Sequence, residues 1–389
     1  MKRTISKTVI IVLCLSLGGC GAIGKIFGKK DEVKPLKPNP LPVIKESVAF
    51  KRWWTYDIGG DKQAGLRPAV DGDMVFIANP DGRVAALDLK SGRLQWRKDL
   101  DMRISGGVGT GMGLVMVGSL NGRVVALNRK DGSEVWRAPV SSEVMAPPEA
   151  AGGIVVVRTV DGAVTGLSAT KGEERWKVTH EVPSLTLRGS GPPLIYQGVA
   201  VVGYADGKLG AIQMSDGAVL WQVPVSRPSG TNEVERMIDV DAKPLLRDDQ
   251  LFTVAYHGDL TAYSLRINQV MWSKKMSSHT DISADADNVY VSDSNGRVHA
   301  LDRATGAEVW VQDKLLRRRL SGPTVDGEYV LVGDYEGYLH VMDKEDGKLV
   351  GRDHFGDQIS LEPLIAGGRI LVMTEGGRLS SVSVTPAGS

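Results

Sequence analysis

The side chains able to do chemistry are few in this chain, and their spacing suits little of it. Six histidines, His180, His257, His279, His299, His340 and His354, never fall into a metal-binding pattern such as H-E-x-x-H. His299 and His340 occupy equivalent places about forty residues apart, which predicts that they fill a strand face. The carboxylate pairs Asp71/Asp73, Asp239/Asp241 and Asp285/Asp287 do not continue into a D-x-D-x-D-G calcium loop, so turn chemistry is the expected use. The run Gly106-Gly107-Val108-Gly109-Thr110-Gly111-Met112-Gly113 matches neither phosphate-loop pattern and reads as close backbone packing; no G-x-S-x-G elbow is present. No catalytic residue, metal site or cofactor is expected.

The two cysteines, Cys14 and Cys20, belong to the amino-terminal segment. Lys2, Arg3 and Lys7 precede an apolar run from Val9 to Leu17, too short to span ~30 Å of hydrocarbon, which reads as a secretory signal over residues 1–19. The junction Leu17-Gly18-Gly19-Cys20 resembles a bacterial lipobox, which implies that Cys20 is acylated and opens the mature chain. In the enteric sorting pattern, Gly21 in place of Asp implies the outer membrane. Cleavage would leave 44 basic against 46 acidic residues and no free thiol, excluding thiolate catalysis. With a formal net charge of +1 on the whole chain, nucleic acid is not an expected partner. Residues 20–50 carry six lysines with Pro35, Pro38, Pro40 and Pro42 and read as a lipidated cysteine followed by a flexible tether.

The remainder, 51–389, is ruled by a repeat. Trp54, Trp96, Trp136, Trp176, Trp221, Trp272 and Trp310 stand at steps of 42, 40, 40, 45, 51 and 38. Each from Trp96 onward closes an eleven-residue cassette, such as ALDLKSGRLQW and ALDRATGAEVW; in the last, VMDKEDGKLVG, Gly351 takes the Trp place. Polar-Gly turns such as Asp81-Gly82 and Asn121-Gly122 join apolar runs into hairpins, eight in all with Gly376-Gly377, and most cassettes add a second turn with Gly at the left-handed position. Four short antiparallel strands per unit predict an all-β, eight-bladed β-propeller. The last unit supplies only three strands, whereas Trp53–Ile58 is a fourth strand with no unit before it, so the amino-terminal strand should complete the last blade and close the ring. The recurring tryptophans are expected to dock each blade on the next, the indole N–H meeting a neighbouring carbonyl.

The A-x-D-x-x-x-G-x-x-x-W cassettes resemble the quinoprotein repeat of eight-bladed dehydrogenases. That resemblance leaves open a periplasmic quinoprotein or sugar-oxidising enzyme, although those enzymes hold their quinone beneath a vicinal disulfide that this chain cannot form. A lipoprotein binding cell-wall polymer is a third reading. The links after Trp176 and Trp221 are lengthened and should emerge on one face: Val182 to Gly189, with two leucines, and Arg227 to Pro244, which contains Glu233, Glu235, Arg236, Asp239 and Asp241. They are a candidate docking rim, or the leucines tuck inward; Lys314 and Arg317–Arg319 belong to the same face as a basic patch or a solvated cluster. Lipobox, tether, propeller and the strings SLTLRG and DVDAKP together resemble the propeller lipoproteins of the outer-membrane β-barrel assembly (BAM) machinery. The resemblance implies a non-catalytic, lipid-anchored scaffold at the periplasmic face of the outer membrane, assisting insertion of barrel proteins. It further implies that Leu185, Leu187, Arg188, Asp239 and Asp241 contact the POTRA domains of BamA. Other BAM components and unfolded outer-membrane proteins, received by strand addition, are further implied partners.

Overall fold

In the computed structural model, residues 37–59, 66–186, 191–227 and 237–388 are described, and from Pro38 onward they belong to one unit. Eight four-stranded antiparallel sheets follow one another along the chain. Blade 1 comprises Ala69–Asp71, Met74–Ala78, Arg83–Asp88 and Leu94–Asp99, and the same order recurs to blade 7, Thr324–Asp326 through Leu349–His354. The two middle strands of each blade are apolar and buried on both faces because a neighbouring blade covers each side, as in MVFIA of blade 1 and LVMVG of blade 2.

Blade 8 joins the chain ends. Leu364–Ala366, Arg369–Met373 and Arg378–Pro386 are completed by Val48–Asp57, with Trp54 opposite Ser381. The strand starts at Val48, three residues ahead of the boundary expected at 51. Trp53 is the extra residue of a bulge between Arg52 and Trp54, and the fourth strands of blades 1 to 7 carry a bulge at the equivalent place.

Between blades, the indoles of Trp54, Trp96, Trp136, Trp176, Trp272 and Trp310 donate Nε1–H to the carbonyls of Leu89, Arg129, Ala169, Met214, Arg303 and Lys344 at 2.7–3.1 Å. Each of these rings lies flat on the turn glycine of the following blade's cassette, from Gly92 under Trp54 to Gly347 under Trp310. Trp221 faces the one cassette whose turn residue is Asn268, at φ +56°, and its ring sits 5.7 Å from that of Tyr263. Blade 8 has no turn between its third and fourth strands, since they come from opposite ends of the chain. An indole at Gly351 would find no glycine to rest on, and Val48 and Phe50 occupy the space there.

Two turns depart from the simplest reading. In blade 5 the left-handed residue is His257 at φ +53°, not Gly258, because the backbone of Tyr256 is drawn into a bridge with Asp239 and Ser277 accepts the His257 amide. In blade 2, Gly109 and Gly111 lie where a Cβ would strike the carbonyls of Pro148 and Ala150, so the glycine run lets two innermost strands approach.

Candidate docking rim and hub

The links from each blade's outermost strand to the next blade's innermost strand gather on one face. The two lengthened ones, after Thr179 and after Pro224, join blade 3 to blade 4 and blade 4 to blade 5. Leu185 is 41% exposed on the first. Leu187 and Arg188 lie outside the described residues, as does Cys20. On the second link Asp239 is only 2% exposed, its carbonyl accepting the Tyr256 amide at 2.8 Å, whereas Asp241 lines the central cavity.

Beneath both links lies Arg158, the last residue of the strand Ile154–Arg158. Its guanidinium donates to the carbonyl of Gly191 at 2.6 Å and to that of Gly203, which ties blade 3 to blade 4. Burial pushes its pKa down against the pull of Asp241 and Asp239. Burial, with the repulsion of Asp239, pushes the Asp241 carboxyl up to about 8, against the pull of Arg158. The two aspartates that the sequence singles out are thus brought together with an arginine that it did not. The signal was present: where this strand ends in Arg, its counterparts end in Ala78, Gly118, Gly203, Val254, Ser292, Gly333 and Met373. Beside it a polar cleft is held by Asp206, which receives His180 at 3.0 Å and Lys208 at 2.5 Å, with His180 stacked on Tyr204.

At the hub, the same face opens on a cavity of about 590 Å³. Arg67 crosses it to pair with Asp281 at 2.9 Å and with Glu362. Asp281 also accepts the Lys243 amide at 2.8 Å, and the Lys243 ammonium pairs with Glu149 at 3.0 Å. The result is a belt of alternating charges between blades remote in sequence. Burial pushes the Glu362 carboxyl up to about 7, with Arg67 opposing and Asp281 reinforcing the rise. A quinone beside a calcium ion would need free acidic ligands here. Asp281 and Glu362 instead spend their charge on Arg67, and among the described residues no group of three or more His, Cys, Asp or Glu could hold a metal ion. The donor set does not fit that group. Elsewhere Asp71 and Asp73 pair with Arg129, and Asp285 caps its own turn through the Asp287 and Asn288 amides.

A closed ring of eight four-stranded blades docked by tryptophan on glycine defines a β-propeller of the quinoprotein-repeat class. Within that class the chain belongs to the family described as outer membrane protein assembly factor BamB, whose model matches residues 51–104, 80–312 and 312–386. It is 44% identical over 379 residues to the protein of that name from Pseudomonas aeruginosa, covering 96% of this chain and 98% of the relative. To that of Escherichia coli K12 it is 33% identical over 381 residues, covering 94% and 96%. The crystal structure of BamB from Moraxella catarrhalis superposes with a TM-score of 0.81 at 25% identity, covering 86% of this chain and all of that one. A quinohemoprotein alcohol dehydrogenase from Comamonas testosteroni superposes at 0.70 with 13% identity over 86% of this chain and 76% of its own, a likeness of fold alone.

Proposed function

We propose that this protein is an outer-membrane protein assembly factor, a non-catalytic scaffold that is acylated at Cys20, held at the periplasmic face of the outer membrane, and docked on the POTRA domains of BamA. The full-length match to relatives named as assembly factors carries the reading, and the self-paired hub charges support the absence of a reaction centre. Leu185, Leu187, Arg188 and Asp241 supply the contact surface; Asp239, buried, shapes the link from beneath. The exposed Val219, Leu220, Val270 and Met271 on the outer strands of blades 4 and 5 suit strand addition by an unfolded barrel segment.

The test is a detergent-extracted pull-down with the partner identified by mass. Leu185→Asp should reduce BamA recovery at least tenfold with the melting curve unchanged, since the side chain is exposed. Undiminished recovery from a Leu185→Asp/Asp241→Asn double variant would remove the rim from the contact.

A further inference from the structure

The segment expected to be a free tether is fastened to the propeller before its first strand begins. Pro38, Pro40 and Pro42 carry no amide hydrogen, so this stretch mostly offers carbonyls, and the propeller meets it with guanidinium donors. Arg318 donates to the Asn39 carbonyl at 3.0 Å, Arg317 to the Asn39 side-chain oxygen at 2.6 Å, and Arg352 to the Pro42 carbonyl at 3.0 Å. The Asn39 amide is the exception and donates to the Leu316 carbonyl at 3.0 Å; Ser47 then donates to Val350 at 2.8 Å. The receiving loop, in the link between blades 6 and 7, is itself built for this. Arg318 is 2% exposed and fixed by Asp334 at 2.8 Å and by Glu336. Arg317 and Arg319 on either side adopt φ of +62° and +47°, a left-handed backbone that non-glycine residues rarely enter. The three consecutive arginines are therefore not one solvated cluster: the middle one is core, and Arg317 reaches out to the incoming chain.

We propose that this loop is a clamp for the protein's own membrane tether, setting the point at which the leash leaves the ring and how long it is. The consequence rests on the acylation of Cys20 proposed above. With the clamp closed, nineteen residues separate Cys20 from Asn39, a reach of at most roughly 65 Å; released back to Pro42, which Arg352 still holds, twenty-two residues would reach roughly 75 Å. The clamp sits in the same class of link as the candidate docking rim, so the leash starts on the face that carries the rim, about three blades round the ring from the link between blades 3 and 4.

Residue-resolved hydrogen exchange on the purified full chain in detergent tests the clamp directly. The amides of Asn39 and Ser47 should exchange slowly in the wild type. Asn39→Ala, which keeps the amide but loses its side-chain acceptor, and Arg317→Ala should each speed exchange at position 39 about tenfold, with Ser47 and the melting temperature unchanged. In nanodiscs, energy transfer from headgroup-labelled lipid to a dye at position 346 should report a longer separation in the double variant. An Asn39 amide exchanging at the unprotected rate in the wild type, or unaffected by both substitutions, overturns the proposal. The intact mass reads acylation at Cys20 separately, so a missing anchor and an absent clamp give different results.

Discussion

If the tryptophans dock blades through the turn glycines, two glycines of one blade should respond differently to the same methyl group. Gly347 has φ +70°, and an added Cβ would come within 2.5 Å of the Trp310 ring; Gly327, in the same blade, has φ +58° and nothing within 4 Å of the added atom. Alanine at Gly327 meets only the left-handed backbone penalty, about 1–2 kcal/mol. At Gly347 the same penalty is joined by overpacking, about 1–3 kcal/mol more, because the ring is held by its bond to Lys344 at 2.8 Å and by Tyr290 at 6.0 Å and has no room to retreat. Guanidinium denaturation should thus rank Gly347→Ala well below Gly327→Ala in stability. Trp310→Ala alone should cost about 3–5 kcal/mol by opening a cavity. Placed in that background, Gly347→Ala should fall to the cost of Gly327→Ala, since the ring it strikes is gone. Equal costs for the two glycines, or a Gly347 effect indifferent to Trp310, would refute docking by this contact.

Other consequences are open to simpler measurements. Burial pushes the His340 imidazole below its usual pKa; for Asp334 burial acts upward, but bonds from His340, the Tyr338 amide and Arg318 outweigh it and hold the carboxyl low. Both groups put extra protons on the unfolded chain, so the stability they give is complete above about pH 6.5 and declines as pH falls through 4. Asp334→Asn should cost about 1.5–3 kcal/mol at pH 7 and flatten that decline in a denaturation series, because it removes the buried carboxylate that Arg318 and His340 share while Glu336 still faces the guanidinium. Asp241 has the opposite sign: its raised carboxyl gives stability that is complete below about pH 4 and lost as pH rises towards 8, so Asp241→Asn should raise the melting temperature at pH 8 and change it little at pH 4. A chain begun at residue 59 leaves Arg378–Pro386 as a bare edge and should self-associate in sedimentation, whereas the intact ring should not through that edge.

The architecture was legible because it is written locally and many times over. Cassette spacing, turn glycines and the unmatched strand around Trp54 each state a near-neighbour rule, and the absence of tryptophan at Gly351 follows once blade 8 is seen to lack a turn. What escaped was written once and at long range. Nothing near Arg67 in the chain announces Glu362, nor anything near Asn39 the loop at Arg317. Charge alone could not tell Arg318 from its neighbours, because burial, not residue type, separates them. Asp239 and Asp241 looked alike two residues apart; the bridge to Tyr256 buries Asp239, whereas Asp241 stands on the cavity wall. Arg158 could have been found by comparing blades, as the one charge among the residues that end the second strand of each blade.

The division of labour in the ring has a physical basis. Blade docking depends on tryptophan and glycine at the outer strands, away from the axis, so hub and rim can change without loosening the ring. In this chain the hub is locked by Arg67 between Asp281 and Glu362, a pairing that raises the arginine's pKa despite burial and leaves little charge to offer a ligand. The departures from the repeat length lie instead in two links, with Arg158 set against two aspartates that cannot both ionise cheaply. Such an arrangement holds only while the links stay packed over it. Replacing Asp241 by Asn therefore separates the two roles of this link: a substitution that raises stability yet weakens BamA recovery would mean that the carboxyl is kept for the partner at the expense of the fold.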